Sequence, residues 1–178
     1  MSNPWTGRAI GLALAAILYF ADQWLKVFVY WDMGLRTVGK IDLIPGFFSL
    51  TFVPNYGVSL GMFTATSPEM RWGLVAVTAL IALVVLAWMM RERRLGDIIP
   101  LGMILGGAIG NIHDRINYGY VIDFLDFHFW GWTPFVFNLA DAGITIGVAI
   151  ILVRALFMGE KPAASHGADQ ADPSAETN

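Results

Sequence analysis

Four stretches of about 20 mostly apolar residues, each long enough to cross the hydrocarbon core of a bilayer, constrain this chain more than any other feature. They cover 10–30, 72–90, 98–116 and 135–157. A water-soluble fold would have to hide all four, and with 56% hydrophobic and only 14% charged residues there is too little polar surface to do so. The expected class is a membrane all-α protein built as a four-transmembrane-helix bundle. The first stretch has features of a cleavable signal peptide, with Arg8 ahead of an apolar run and small residues at Ala13, Ala15 and Ala16. Its apolar character continues past Asp22 and Lys26 to Trp31, which favours a retained helix.

Orientation follows from the basic residues near the span ends. Arg8, Arg91, Arg93, Arg94, Arg154 and Lys161 fall on one side if four helices alternate. That side is expected to be cytoplasmic, with both termini inside. The loop 32–69 then lies outside. Within it, Lys40 to Ile44 and Phe47 to Val53 flank Pro45-Gly46, and Phe48, Leu50 and Phe52 alternate with Ser49, Thr51 and Val53. This pattern predicts a small β-hairpin at the membrane surface. The PNYGVSLGMF segment after it predicts a short interfacial helix or flap. The domain expectation is one integral membrane unit over 1–158, followed by a polar, Ala/Pro/Asp-rich tail, 159–178, with the composition of a disordered segment.

The chain has no cysteine, which excludes disulfides, thiolate metal sites and a cysteine nucleophile. Its net charge of −3 says little, because the acidic excess sits largely in the tail, and no basic patch interleaved with aromatics points to nucleic acid. No metal or other cofactor is expected.

Polar residues inside greasy segments are costly and by default signal function. In the alternating arrangement, Asp22 and Lys26, then Asn111, Asp114 and Arg115, then Asn138 and Asp141 all lie toward the outer ends of their helices. Spacings of three or four residues put each set on one helix face. Taken singly, Asp22 with Lys26 could be a helix-end salt bridge and Arg115 could snorkel. Three sets facing one another favour a site.

Asp123 and Asp141 are the pair that chemistry selects. Each sits among apolar and aromatic neighbours at the outer boundary, and the connection between the third and fourth spans can bring them together. Two carboxyls close together in a poorly solvated pocket cannot both ionise easily, so one keeps a proton while the other acts as base. An aspartic protease needs this arrangement to activate water and protonate the leaving amine. Either Asp could instead cap a helix or pair with Arg115. Asp126, expected to be exposed by the same loop, fits a structural role better.

The segments DQWLK (22–26), NYGVSL (55–60), GGAIGNIHDR (106–115), VIDFLDF (121–127) and FNLAD (137–141), in this order on four spans, resemble the lipoprotein signal peptidases, also called signal peptidase II. The resemblance covers roughly residues 8–157. It implies an inner-membrane aspartic endopeptidase that removes signal peptides from diacylglyceryl-modified bacterial prolipoproteins, cutting on the amino side of the lipidated cysteine. It assigns the catalytic dyad to Asp123 and Asp141. Asn111, Arg115 and Asn138 would support the dyad and the substrate backbone, while Asp22, Lys26, Asn55 and Gly57 would belong to the surrounding polar shell and Asp114 would be structural. The outer loop would supply an extracytoplasmic β-cradle and a mobile helix over the site. Implied partners are lipidated prolipoproteins and membrane lipids, and the expected state is a monomer. His113 and Ser59 depart from the family pattern without touching the residues assigned to chemistry.

Two other readings remain. Gly57-Val58-Ser59-Leu60-Gly61 spells G-x-S-x-G, with His113 or His128 as the base of a serine protease, although that pentapeptide has meaning only on a strained strand-to-helix turn. The buried acids and Arg115 could also relay ions in a small transporter, against which stands the lack of repeat symmetry or of helices broken mid-membrane. No H-E-x-x-H occurs among the three histidines to suggest a metalloprotease.

Overall fold

The computed structural model describes residues 4–57, 67–128, 132 and 136–158. The tail 159–178 and most of the expected flap, including Ser59, lie outside the described residues. Four helices are long and apolar enough to span a membrane. The first is α1, Pro4–Val27, which runs on through a π-helical turn at Phe28–Asp32 and is followed by the short α2, Leu35–Val38. The others are α3, Pro68–Arg91, α4, Leu95–Asn117, and α5, Leu139–Met158. Ser67 caps α3, its hydroxyl accepting the Met70 N–H at 3.3 Å, and Pro68 occupies the first turn, where a missing N–H costs nothing.

The central helix is α4, which packs against α1, α3 and α5. Half of its apolar window is buried inside the protein, against 17–22% for the other three, whose remaining apolar surface suits lipid. Lipid tails are as apolar as leucine, so helix association in a bilayer depends on close packing rather than on hydrophobic burial. Glycines on α4 allow it. A Cβ added at Gly102 would meet the Gly11 carbonyl oxygen at 2.6 Å, and one at Gly106 would meet that of Ala15 at 2.5 Å. A Cβ at Gly107 would strike the Ala140 carbonyl of α5. At the end of the bundle away from the sheet, Arg154 Nε donates to Asp97 Oδ1 at 2.8 Å and joins α5 to α4.

A four-stranded antiparallel sheet, ordered β1-β2-β3-β4, covers the other end. Its strands are β1, Lys40–Ile44, β2, Phe48–Asn55, β3, Val121–Phe127, and β4, Val136–Phe137. The expected hairpin is β1–β2, turning through Gly46 at φ +78°, a value glycine reaches without strain. The other two strands were not foreseen. VIDFLDF, read from sequence as a connection, is a strand paired to β2, and Val136–Phe137 pairs with Asp126 and Leu125, so α5 begins at Leu139 rather than at 135. Ile122 and Phe124 join Val29, Tyr30, Leu35 and Leu50 in a small core that fixes the sheet to the end of α1. Asp126 is buried instead of exposed, because β2 lies beside it: Thr51 Oγ1 donates to its Oδ2 at 2.8 Å, and His128 Nδ1 stands 3.6 Å from its Oδ1.

Candidate active site

The polar residues of α1, α4 and α5 meet where these helices abut the sheet. Lys26, on the last turn of α1, is 1% exposed, and its ammonium lies 2.7 Å from Asp22 Oδ2 and 2.8 Å from Asp114 Oδ2. The possible snorkelling of Arg115 does not occur. Its Nη2 donates to the Gly57 carbonyl at 2.6 Å and its Nη1 to the Asn111 carbonyl at 3.3 Å, and the residue is buried. Gly57 is held in turn by Asn55, whose Oδ1 accepts its N–H at 3.0 Å.

Two asparagines connect the acids. Asn138, fully buried just before α5, donates through Nδ2 to Asp123 Oδ1 at 2.6 Å, while its Oδ1 accepts the Asp141 N–H at 2.9 Å. One side chain therefore touches both residues of the candidate dyad. Asn111 donates through Nδ2 to Asp141 Oδ1 at 2.7 Å, and its Oδ1 receives Asn138 Nδ2 at 3.4 Å and Lys26 at 3.5 Å. Asn55 covers the far side of Asp123, donating to Oδ2 at 3.0 Å. Burial pushes the Asp123 carboxyl up to about 7, and the negative charge of Asp141 adds to the effect. Bonds from Asn55 and Asn138 and the nearby Lys26 pull the other way without cancelling it.

A cleft of about 250 Å³ opens at this place. Asn55, Asn111, Arg115 and Asp141 line its polar part, whereas Ile81, Ile104, Ala108 and Ile144 make an apolar wall between α3, α4 and α5. Asp141 faces the cleft, and Asp123 sits behind Asn55, only 2% exposed. Among the described residues, no group of three or more His, Asp or Glu is placed to hold a metal ion.

All nine residues named from sequence thus belong to one connected set. Sequence reasoning missed Gln23, whose Nε2 donates to Asp114 Oδ1 at 2.9 Å and to Asp22 Oδ2 at 3.2 Å. A polar amide one position after Asp22 in an apolar helix was the available signal. His113, set aside on sequence grounds, pairs with the Tyr19 hydroxyl at 2.9 Å, away from the acids.

Four membrane helices capped by a sheet, with buried Asp123 and half-buried Asp141 joined through one asparagine amide, are an arrangement that suits a membrane aspartic endopeptidase. Residues 14–157 match the family model described as signal peptidase (SPase) II. A lipoprotein signal peptidase of Rhizorhabdus wittichii is 50% identical over 163 residues, covering 91% of this chain and 94% of that protein. One from Sphingopyxis alaskensis is 49% identical, covering 85% and 87%. A bacterial membrane enzyme solved by the in meso method at 1.9 Å superposes with a TM-score of 0.72 at 26% identity, over 85% of this chain and 95% of that one. The chain belongs to the signal peptidase II family.

Proposed function

We propose that the protein cleaves prolipoproteins on the amino side of a diacylglyceryl-modified cysteine, with Asp123 and Asp141 as the catalytic dyad. The observation that carries this reading is the Asn138 bridge, which ties the buried Asp123 to Asp141 on the wall of an apolar cleft. Asp141, facing the cleft, takes a proton from water as its oxygen attacks the scissile carbonyl. Asp123 carries the shared proton, which polarises that carbonyl and then passes to the leaving amine. Arg115 and Asn111 orient the substrate backbone, and Asn55, Gly57, Asn138, Asp22 and Lys26 hold the acids in place.

The apolar wall suits the signal helix and acyl chains, which cannot leave the bilayer without losing about 0.8 kcal/mol per CH₂. The positions of the basic residues support a bacterial inner-membrane location with both termini cytoplasmic and the site on the outer side. We assign residues 1–158 to a single peptidase unit, acting as a monomer among membrane lipids.

The test is incubation of the purified protein with a prolipoprotein carrying either a diacylglyceryl-modified or an unmodified cysteine. Cleavage of the lipidated form alone, with mass spectrometry showing the modified cysteine as the new N-terminus, is expected. Equal cleavage of both forms removes the lipid from the reading, and cleavage of neither removes the reading itself. Ser59→Ala should process substrate at the wild-type rate; its inactivity would revive the serine mechanism.

The pH profile gives a second check. Asp123 is protonated below about 7 and loses its proton as pH rises through that value, so kcat should fall along an alkaline limb centred there. Asn55→Leu keeps the site covered but removes a bond that favours the carboxylate, and the limb should move to higher pH. A limb that stays in place or moves down would show that Asp123 is not the proton carrier.

A further inference from the structure

Asp22, Lys26 and Asp114 are completely or almost completely buried, and none of them lines the cleft. Their contacts fall at two particular places. Asp22 Oδ1 accepts the N–H of Ala140, the residue immediately before Asp141, at 2.9 Å. Asp114 Oδ2 accepts the N–H of Ile122, the residue immediately before Asp123, at 3.1 Å. The Lys26 ammonium joins the two carboxylates at 2.7 and 2.8 Å, and the Gln23 amide bonds to both.

We propose that Asp22, Lys26 and Asp114 act as a clamp that sets the separation of the Asp123 and Asp141 carboxyls, each carboxylate gripping the backbone one residue ahead of a dyad member. The proposal rests on the reading of those two residues as the dyad. Its physical basis is the origin of the parts. Asp123 stands on a strand and Asp141 on a helix, and the only short covalent route between them runs through β4. The Ala140 N–H belongs to the first turn of α5, where backbone donors have no partner within the helix and must take one from elsewhere. Asp22 supplies it from α1, and Asp114 reaches β3 from α4. Two buried carboxylates would repel each other, so the ammonium between them is what brings α1 and α4 to one distance. Gly110 permits this approach, since a Cβ there would come within 2.8 Å of Asp22 Oδ2. The three are positioning residues, and Asp114 becomes a functional member of the site.

The experiment measures kcat, KM and the pH dependence of kcat for the purified full-length enzyme and its variants on a lipidated prolipoprotein, per molecule of monodisperse protein. Ile122 and Lys26 share Asp114 Oδ2, so Asp114→Asn keeps an oxygen for both but removes the charge that holds the ammonium and turns an amide NH2 toward Gln23. Displacements of around 1 Å distant from the reacting bond cost about 100-fold in rate, and a fall of kcat of that order with KM unchanged is expected. The interval between the acid and alkaline limbs should also narrow, because it reports how strongly the two carboxyls feel each other alongside the fixed charges of Lys26 and Arg115. Asp22→Asn with Lys26→Met cuts the tie while leaving the net charge of the group unchanged, and should give the same narrowing; Asp114→Glu, with a longer reach, should not rescue it. Variants that lose only folded yield, with kcat and limb spacing of the remaining enzyme intact, would overturn the clamp. So would narrowing with Asp114→Asn but not with the charge-matched pair, which would mark a purely electrostatic effect. Asp123→Asn serves as the reference: if it remains active the dyad reading has failed, and if it is inactive while Asp114→Asn behaves as wild type, only the clamp has.

Discussion

Asp123→Asn and Asp141→Asn should each lower prolipoprotein cleavage by about 10⁴-fold or more, and the double variant should be no worse than either single one. The substitution preserves shape and removes only the ability to hold or release a proton. Asp123 Oδ1 accepts from Asn138 and its Oδ2 from Asn55, so an amide at this position retains at most one of the two bonds. Asp141 Oδ1 accepts from Asn111, and an amide oxygen can continue to do so. Asp141→Asn should therefore fold at least as well as wild type, with a burial cost relieved, and makes the cleaner test. Non-additivity is the distinguishing result: two residues sharing one proton fail together, whereas independent binding contributions multiply. Rates from single-turnover cleavage of a lipidated substrate decide it. Residual activity within about tenfold of wild type in either variant would end the dyad assignment.

The span pattern and the sets at 22/26, 111/114/115 and 138/141 were legible because helical periodicity and the cost of intramembrane charge act on the sequence locally. The strand character of 121–127 was not. Its side chains alternate only in part: Val121, Ile122, Asp123, Phe124 and Asp126 are all buried, so residues on both faces of β3 are covered. A strand covered on both faces has no polar face to betray it. For the same reason Asp126 looked exposed: its cover comes from Thr51, on a strand distant in sequence. The partners of Asp114 were hidden likewise, as Lys26 and Ile122 come from α1 and β3. Local sequence does carry the spacing of Gly102, Gly106 and Gly110, a small-residue stripe of the kind that lets membrane helices touch.

That stripe leads to the largest stability effect. Gly106→Val should destabilise the bundle by about 3 kcal/mol, the upper part of the range for overpacking, and remove activity in the protein that survives. A Cβ at Gly106 would stand 2.5 Å from the Ala15 carbonyl oxygen and 2.9 Å from its Cα, and backbone atoms cannot rotate aside as a side chain can. Helix α1 must retreat from α4. Asp22 and Lys26 lie on the same helix as Ala15, so the retreat also stretches the contacts to Ala140 and Asp114 on which the site depends. Gly73→Ala on α3 is the control, because nothing lies within 4 Å of a Cβ there and alanine favours a helix interior. Thermal unfolding in one detergent should place Gly106→Val well below wild type and Gly73→Ala at or above it. If both glycines tolerate substitution equally, close backbone contact between α1 and α4 is not what holds the site together.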